Sequence, residues 1–331
     1  MDGVPLARSN TSISVLDVAQ HAEVSAGTVS RVFNRHPAVN SDLRRRVLTS
    51  SRQLGFSPKI AHKCIGIVTG RHSPSFPVGY VGIMSSLVSR MLSDKRMLVE
   101  LIDIESLDLV YETHVDGVIG IIFDERLAEL TDIPSLPVVS INHPMSKQGV
   151  SSVYADHYQQ AVLATEHLIE HGHRDIAFLA IQPDEWGSNE RLRGYQDTLA
   201  KHGITPELDR VKYTSAQPVY DTLSRWKQQG VSAILNFSED ACMEVLHILS
   251  NVLGLQLGRD ISTITLEDLP VGQYLSPPQT VIRQPLEQLA RIAVDHMIQA
   301  CNSTDSFAPL DCCLPTELIT RDSVARIRQD D

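Results

Sequence analysis

Apolar positions recur with a helical period in the first sixty residues and with a strand-and-helix alternation after them. Val15, Val18, Ala19 and Ala22 fall at i, i+3, i+4 and i+7, which predicts a short helix with one apolar face. After a break at Glu23 and Val24, Ser25 stands where an N-cap belongs, ahead of a second stretch in which Val29, Val32 and Phe33 share a face. Beyond Pro37, Asn40 can cap a third helix that turns Leu43, Val47 and Leu54 inward and stops at Gly55. Two short helices joined by a tight turn, with a third packed across them, make the helix-turn-helix plan. Its second helix enters the major groove N-terminal end first.

From Cys64 the pattern changes. Short apolar runs at 64–69, 98–104, 115–123, 137–141, 175–180, 233–237 and 261–265 predict strands, and stretches at 80–92, 154–171 and 191–202 predict helices. Such alternation implies an α/β region of parallel sheets covered by helices. Ligands of such sheets settle beyond the carboxyl ends of the strands.

Composition alone changes little: 42% apolar and 21% charged residues are ordinary for a chain that packs its cores. The longest apolar run, 115–123, is broken by Asp116 and far too short for a bilayer. The N-terminus shows no apolar segment of signal-peptide length, and the five cysteines are scattered without a CxxC pair, so a reduced, cytoplasmic protein with no membrane partner is expected. Charge is more telling. Of 29 Lys/Arg and 40 Asp/Glu, nine and four lie in residues 1–63, which leaves the head at +5 and the remainder at −16. A basic head on an acidic body predicts that only the head approaches a polyanion.

The segment VLDVAQHAEVSAGTVSRVFN, followed by VNSDLRRRV and LGFSP, resembles the N-terminal headpiece of the lactose/galactose repressor family of bacterial transcription regulators. The resemblance implies that Ser25, Ala26, Gly27, Thr28, Ser30, Arg31 and Asn34 face double-stranded DNA, helped by Arg44 and Lys59. Ala26 and Gly27 stand where the family usually carries base-reading side chains, which leaves Arg31 as the main candidate for a bidentate guanine contact. Glu23 occupies the usual glycine of the turn and is expected to take a positive φ. The linker departs further from the family, because only residues 59–64 separate Pro58 from Ile65. Six residues span roughly 20 Å if extended, well short of the usual spacing. The expected consequence is an operator bent less at its centre, with Lys59 and Lys63 on phosphates.

The segments LIEHGHRDIAFLA, SNERLRGYQDTLAKHGI, SPPQTVIRQP and LPTELITRDS resemble the same family's effector core, a two-lobed domain like the periplasmic binding proteins. The implied organisation is a disordered extension (1–12), a helix-turn-helix domain (13–58), a short linker (59–64) and an effector-binding and dimerisation core (65–331). Lobe one is expected at 65–171 plus 286–311, and lobe two at 172–285 plus 312–331. The match also implies a homodimer on a pseudo-palindromic operator and a sugar-like effector between the lobes. Phe76, Gln159, Arg191, Glu239, Glu267 and Gln284 fall at positions implied to line that site. A guanidinium such as that of Arg191 suits vicinal hydroxyls or a carboxylate because its donors form a rigid fork. The function implied is a repressor of a carbohydrate-use operon.

Enzyme chemistry finds less support. Glu166, His167, Glu170, His171 and His173 look metal-like, but their order is not HExxH, and a helix end finished by histidines suits the C-terminal dipole. No GxSxG elbow, GxGxxG turn or P-loop is present. Cys312 and Cys313 read as packing residues on a strand. No catalytic, metal or cofactor site is therefore expected. Three rivals stay open at this point: a sugar-binding protein whose head contacts other proteins, a regulator answering a nucleoside or purine, and a small-molecule enzyme.

Overall fold

The computed structural model describes residues 13–56, 58, 62–70, 79–183, 185–205, 207–237, 242–266, 268, 270–303 and 308–327. The expected extension 1–12 lies outside them, as do Lys59, Phe76, Glu239 and Glu267. Three helices form the head: α1 (Val15–His21), α2 (Ala26–Phe33) and α3 (Ser41–Gln53). The side chains of Ser14, Ser25 and Asn40 accept from the backbone N–H of Asp17, Thr28 and Leu43, which fixes where each helix starts. Val18, Ala19, Ala22, Val29, Val32, Val47 and Leu48 close a small core. Val15 does not join it and is 37% exposed. Between α1 and α2, Glu23 takes φ +52°, as its place in the turn demands.

The remainder builds two six-stranded sheets. In chain order, β1 (Cys64–Thr69), α4 (Tyr80–Asp94), β2 (Leu98–Asp103), α5 (Leu109–Glu112), β3 (Gly117–Ile121), β4 (Val138–Ile141) and β5 (Ser151–Ala155) belong to lobe one. Lobe two follows with α6 (His157–Glu170), β6 (Ile176–Ala180), α7 (Trp186–Lys201), β7 (Val211–Tyr213) and α8 (Val219–Gln229). It is completed by β8 (Ala233–Asn236), α9 (Cys242–His247), β9 (Ser262–Leu266) and β10 (Thr280–Arg283). The chain then returns through α10 (Leu286–Asn302) and β11 (Asp311–Leu314) to lobe one, and through β12 (Glu317–Ile319) to lobe two. The strand orders are β11-β5-β4-β3-β1-β2 and β12-β10-β9-β8-β6-β7, parallel except at β12. The backbone crosses between lobes three times, and the carboxyl ends of both sheets meet at the crossings.

Two expected boundaries move. Ala161, Ala164, Leu168 and Ile169 of α6 pack against Ile176, Phe178 and Ala180 of the second sheet, so lobe one ends near 155 rather than 171. Strand β11 pairs with β5, so the last crossing follows Leu314 rather than 311. The stretch 154–171 is not one helix: Asp156 ends β5 and caps α6, its carboxylate accepting from Gln159 N. The linker ends at Lys63, because Cys64 already pairs with Leu98. Cys313 is exposed rather than packed, whereas Cys312 leans on the lobe-one core.

The histidines after α6 serve the fold. The Nδ1 of His173 lies 2.9 Å from Ser232 Oγ, and its Nε2 lies 3.1 Å from the Ala325 carbonyl, which ties the last segment to lobe two. Among the described residues no group of three or more His, Cys, Asp or Glu could hold a metal. Burial pushes the His173 imidazole down to about 4. The unfolded chain therefore binds a proton that the folded chain refuses between about pH 6.5 and about pH 4, and stability must fall as pH falls through that window. One such group contributes on the order of 3 kcal/mol. Urea titrations at pH 7 and pH 4.5 should show this loss, and His173→Gln should flatten it.

Candidate DNA-binding face and effector cleft

On the head, Ser25, Gly27, Ser30, Arg31 and Asn34 are exposed, and Ala26 and Thr28 are half-buried. Several of these polar groups are already occupied. Ser25 Oγ accepts from Thr28 N at 3.1 Å, and Asn34 Nδ2 donates to the Ser30 carbonyl at 2.9 Å. The Arg31 side chain makes no hydrogen bond or ion pair with any described residue. Its guanidinium stands exposed on α2. Arg44 is turned inward instead, donating to the Val39 carbonyl at 2.9 Å. Lys63 donates to the Cys301 carbonyl at 2.5 Å and to Asn302 Oδ1 at 2.8 Å, so it closes the C-terminal end of α10 rather than reaching for phosphate.

The head is seated on lobe one. Arg45 Nε donates to Glu112 Oε1 at 2.9 Å and Arg45 Nη2 to Asp108 Oδ2 at 3.0 Å. Arg35 meets Glu100 at 2.7 Å, and Arg52 Nη2 donates to the Val110 carbonyl at 3.1 Å at the end of α5. Between these lies an apolar contact, the Phe33 ring against the edge of His114 with centroids 5.3 Å apart. These residues leave the exposed face of α2 uncovered, so the seat is compatible with DNA. Arg45→Glu would add a third acid beside Asp108 and Glu112. It should release the head, seen as severalfold faster proteolysis in the linker with unchanged far-UV circular dichroism; an unchanged cleavage rate would mean that other contacts hold it.

In the cleft, Arg191 is buried in α7, its Nε donating to Gln160 Oε1 at 2.8 Å and its guanidinium 5.9 Å from the Phe237 ring centre. Gly194 lets α7 lie this close to α6, since a Cβ there would come within 2.5 Å of the Tyr158 carbonyl. A chain of rings crosses the gap. Tyr80, Phe123 and His143 of lobe one follow one another at 6.5 and 6.4 Å. His143 then stacks on Trp186 of lobe two at 6.5 Å, and Trp186 meets His157 edge-on at 5.0 Å. Burial lowers the basicity of His143 and, with Arg191 beside it, lowers that of His157 further. Both imidazoles are neutral at pH 7.

Of the expected effector residues, the structure sets Arg191 in the cleft and draws two others to the crossings. Gln159 Oε1 accepts from Thr316 N at 3.0 Å, and Gln284 Oε1 accepts from Asn142 Nδ2 at 2.7 Å, each tying one crossing strand to its neighbour. Sequence reading missed Phe123, His143, His157, Gln160 and Trp186. The signal for them was positional: each lies just beyond the carboxyl end of a parallel strand or in the first turn of the helix that follows.

A helix-turn-helix head with an exposed arginine on its second helix, joined to two α/β lobes around a polar and aromatic cleft, defines a ligand-responsive DNA-binding regulator. Two family profiles match: "Bacterial regulatory proteins, lacI family" over residues 14–59 and "Periplasmic binding protein-like domain" over residues 165–324. Residues 14–59 thus carry a lacI-family DNA-binding domain, and the chain is a DNA-binding transcription regulator. It is similar to the HTH-type transcriptional regulator AscG of Escherichia coli (strain K12), 24% identical over 94% of this chain and 98% of that protein. Among solved structures it is similar to a transcriptional regulator CelR–cellobiose complex, 26% identical with a TM-score of 0.68 over 94% of this chain and 99% of that one. It also shares the fold of a lac repressor dimer bound to operator and the anti-inducer ONPF, 21% identical with a TM-score of 0.67 over 95% of this chain and 100% of that one. No helix among the described residues is long and apolar enough to cross a membrane.

Proposed function

We propose that this chain is a cytoplasmic, homodimeric repressor of a carbohydrate-use operon, released from a roughly palindromic operator by a sugar-like effector bound between its lobes. It catalyses no reaction in this reading. One observation carries it: the same chain presents the Arg31 guanidinium on α2 with no partner among the described residues and holds Arg191 buried at the floor of a cleft lined by Trp186, Phe123 and Phe237. The cellobiose held by the similar CelR supports a sugar. The dimeric state of the similar lac repressor supports a two-fold assembly, as do the exposed Leu98 and Leu101 on edge strand β2. Arg31 reads a base, the N-terminal turn of α2 approaches the groove, and the seat formed by Arg35, Arg45 and Arg52 holds each head at a fixed angle.

The test is specific retention on DNA. A duplex from upstream of the protein's own gene should be bound in a gel-shift titration at fixed salt well below the concentration needed for a scrambled duplex. Equal affinity for both would sink the regulator reading in favour of a protein-binding head.

A further inference from the structure

The first turn of α6 leaves two buried polar atoms without partners beside Arg191: His157 Nε2 and Gln160 Nε2. Their chemistry is fixed by the bonds their other atoms make. Arg191 Nε–H can only donate, so the Gln160 atom it meets at 2.8 Å is the carbonyl oxygen, and the amide nitrogen points elsewhere. The same oxygen lies 3.2 Å from His157 Nδ1 and can only accept, so Nδ1 carries the proton. His157 Nε2 is therefore a bare lone pair, and Gln160 Nε2 a bare pair of donors. A buried polar atom without a partner carries a desolvation cost that a ligand would relieve. Gly187 keeps the approach open: a Cβ there would sit 3.7 Å from His157 Nε2 and 3.3 Å from Arg191 Nη1.

Resting on the effector-cleft reading above, we infer that His157 and Gln160 are specificity-determining residues that select a neutral, hydroxyl-bearing effector over sugar acids and sugar phosphates. A hydroxyl donates to the imidazole lone pair and accepts from the amide. An ionised carboxylate offers only acceptors and would face the lone pair of Nε2. His157 is held neutral by burial and by Arg191, which keeps that lone pair available. The edge of Trp186 against His157 makes the indole a wall of the same corner.

Intrinsic fluorescence tests this, because the second tryptophan, Trp226, is fully buried in lobe two. The full-length protein is titrated with cellobiose, glucose, ribose, galacturonate and glucose 6-phosphate. A neutral sugar should give a saturable change while galacturonate and glucose 6-phosphate do not. His157→Phe should weaken that sugar about tenfold or more, with circular dichroism unchanged, and it should lose its effect on the deoxy analogue that lacks the hydroxyl concerned. Gly187→Ala, which fills the approach while leaving both side chains present, should weaken binding as well. Saturation by the acid or phosphate with accompanying operator release would overturn the inference and leave the effector reading standing. Undiminished sugar binding by both variants would also overturn it. Silence of the whole panel would overturn both.

Discussion

Arg191→Ala should bind the operator as tightly as the natural protein and fail to let go of it when the inducing sugar is added. The substitution leaves the contacts described for the head and its seat in place, since Arg191 lies in the cleft beside Gln160, the face of Phe237 and His157. It deletes a charged donor fork, and hydrogen bonds from charged groups contribute about 1.5–3 kcal/mol each. Effector affinity should therefore fall by roughly ten- to a hundredfold. An effector moves a two-state equilibrium only by its difference in affinity for the two states, so loss of binding is loss of response. Calorimetry against mono- and disaccharides reads the affinity directly, and Arg191→Lys checks that charge without the fork does not suffice. Undiminished affinity in Arg191→Ala would take this residue out of the ligand's contacts.

Arg31→Ala should weaken specific operator binding by about 1–3 kcal/mol and relax the preference at one base pair per half-site. Nonspecific binding should change little, because one phosphate-neutralising charge out of many is lost. The neighbouring residues sharpen this expectation. Ala26 and Gly27 offer no side-chain hydrogen bond, and Ser25 and Asn34 are drawn into the helix's own bonding, so little else on α2 can replace the guanidinium. A titration of operator and scrambled duplex at one salt concentration measures the ratio. If Arg31→Ala left that ratio unchanged, base reading would have to come from another part of the head.

The head was readable in the sequence because its determinants are local. Ser25 and Asn40 cap helices three residues on, Glu23 stands in the turn it strains, and the apolar faces repeat within twenty residues. The core was readable as alternation but not at its joints. The assignment of α6 to a lobe depends on its packing against Phe178 and on the close approach at Gly194, neither of which leaves a mark near 157–170. The same holds for the site. Arg191 sits in a motif, whereas the places of Gln159 and Gln284 are set by bonds to Thr316 and Asn142, partners more than a hundred residues distant in sequence. The seat of the head was invisible for this reason too: Arg45 and Arg52 look like surface charge until α5 is folded against them.

The central claim is that one chain couples operator binding by the head to sugar binding in the cleft. Fluorescence anisotropy of a labelled upstream duplex, titrated with the protein at fixed salt with and without a saturating sugar from the calorimetric screen, tests it most directly. Binding should be tight and sequence-selective, weakened by the sugar about tenfold or more, with no such weakening for Arg191→Ala. Operator affinity that stays the same while the cleft is demonstrably occupied would contradict it.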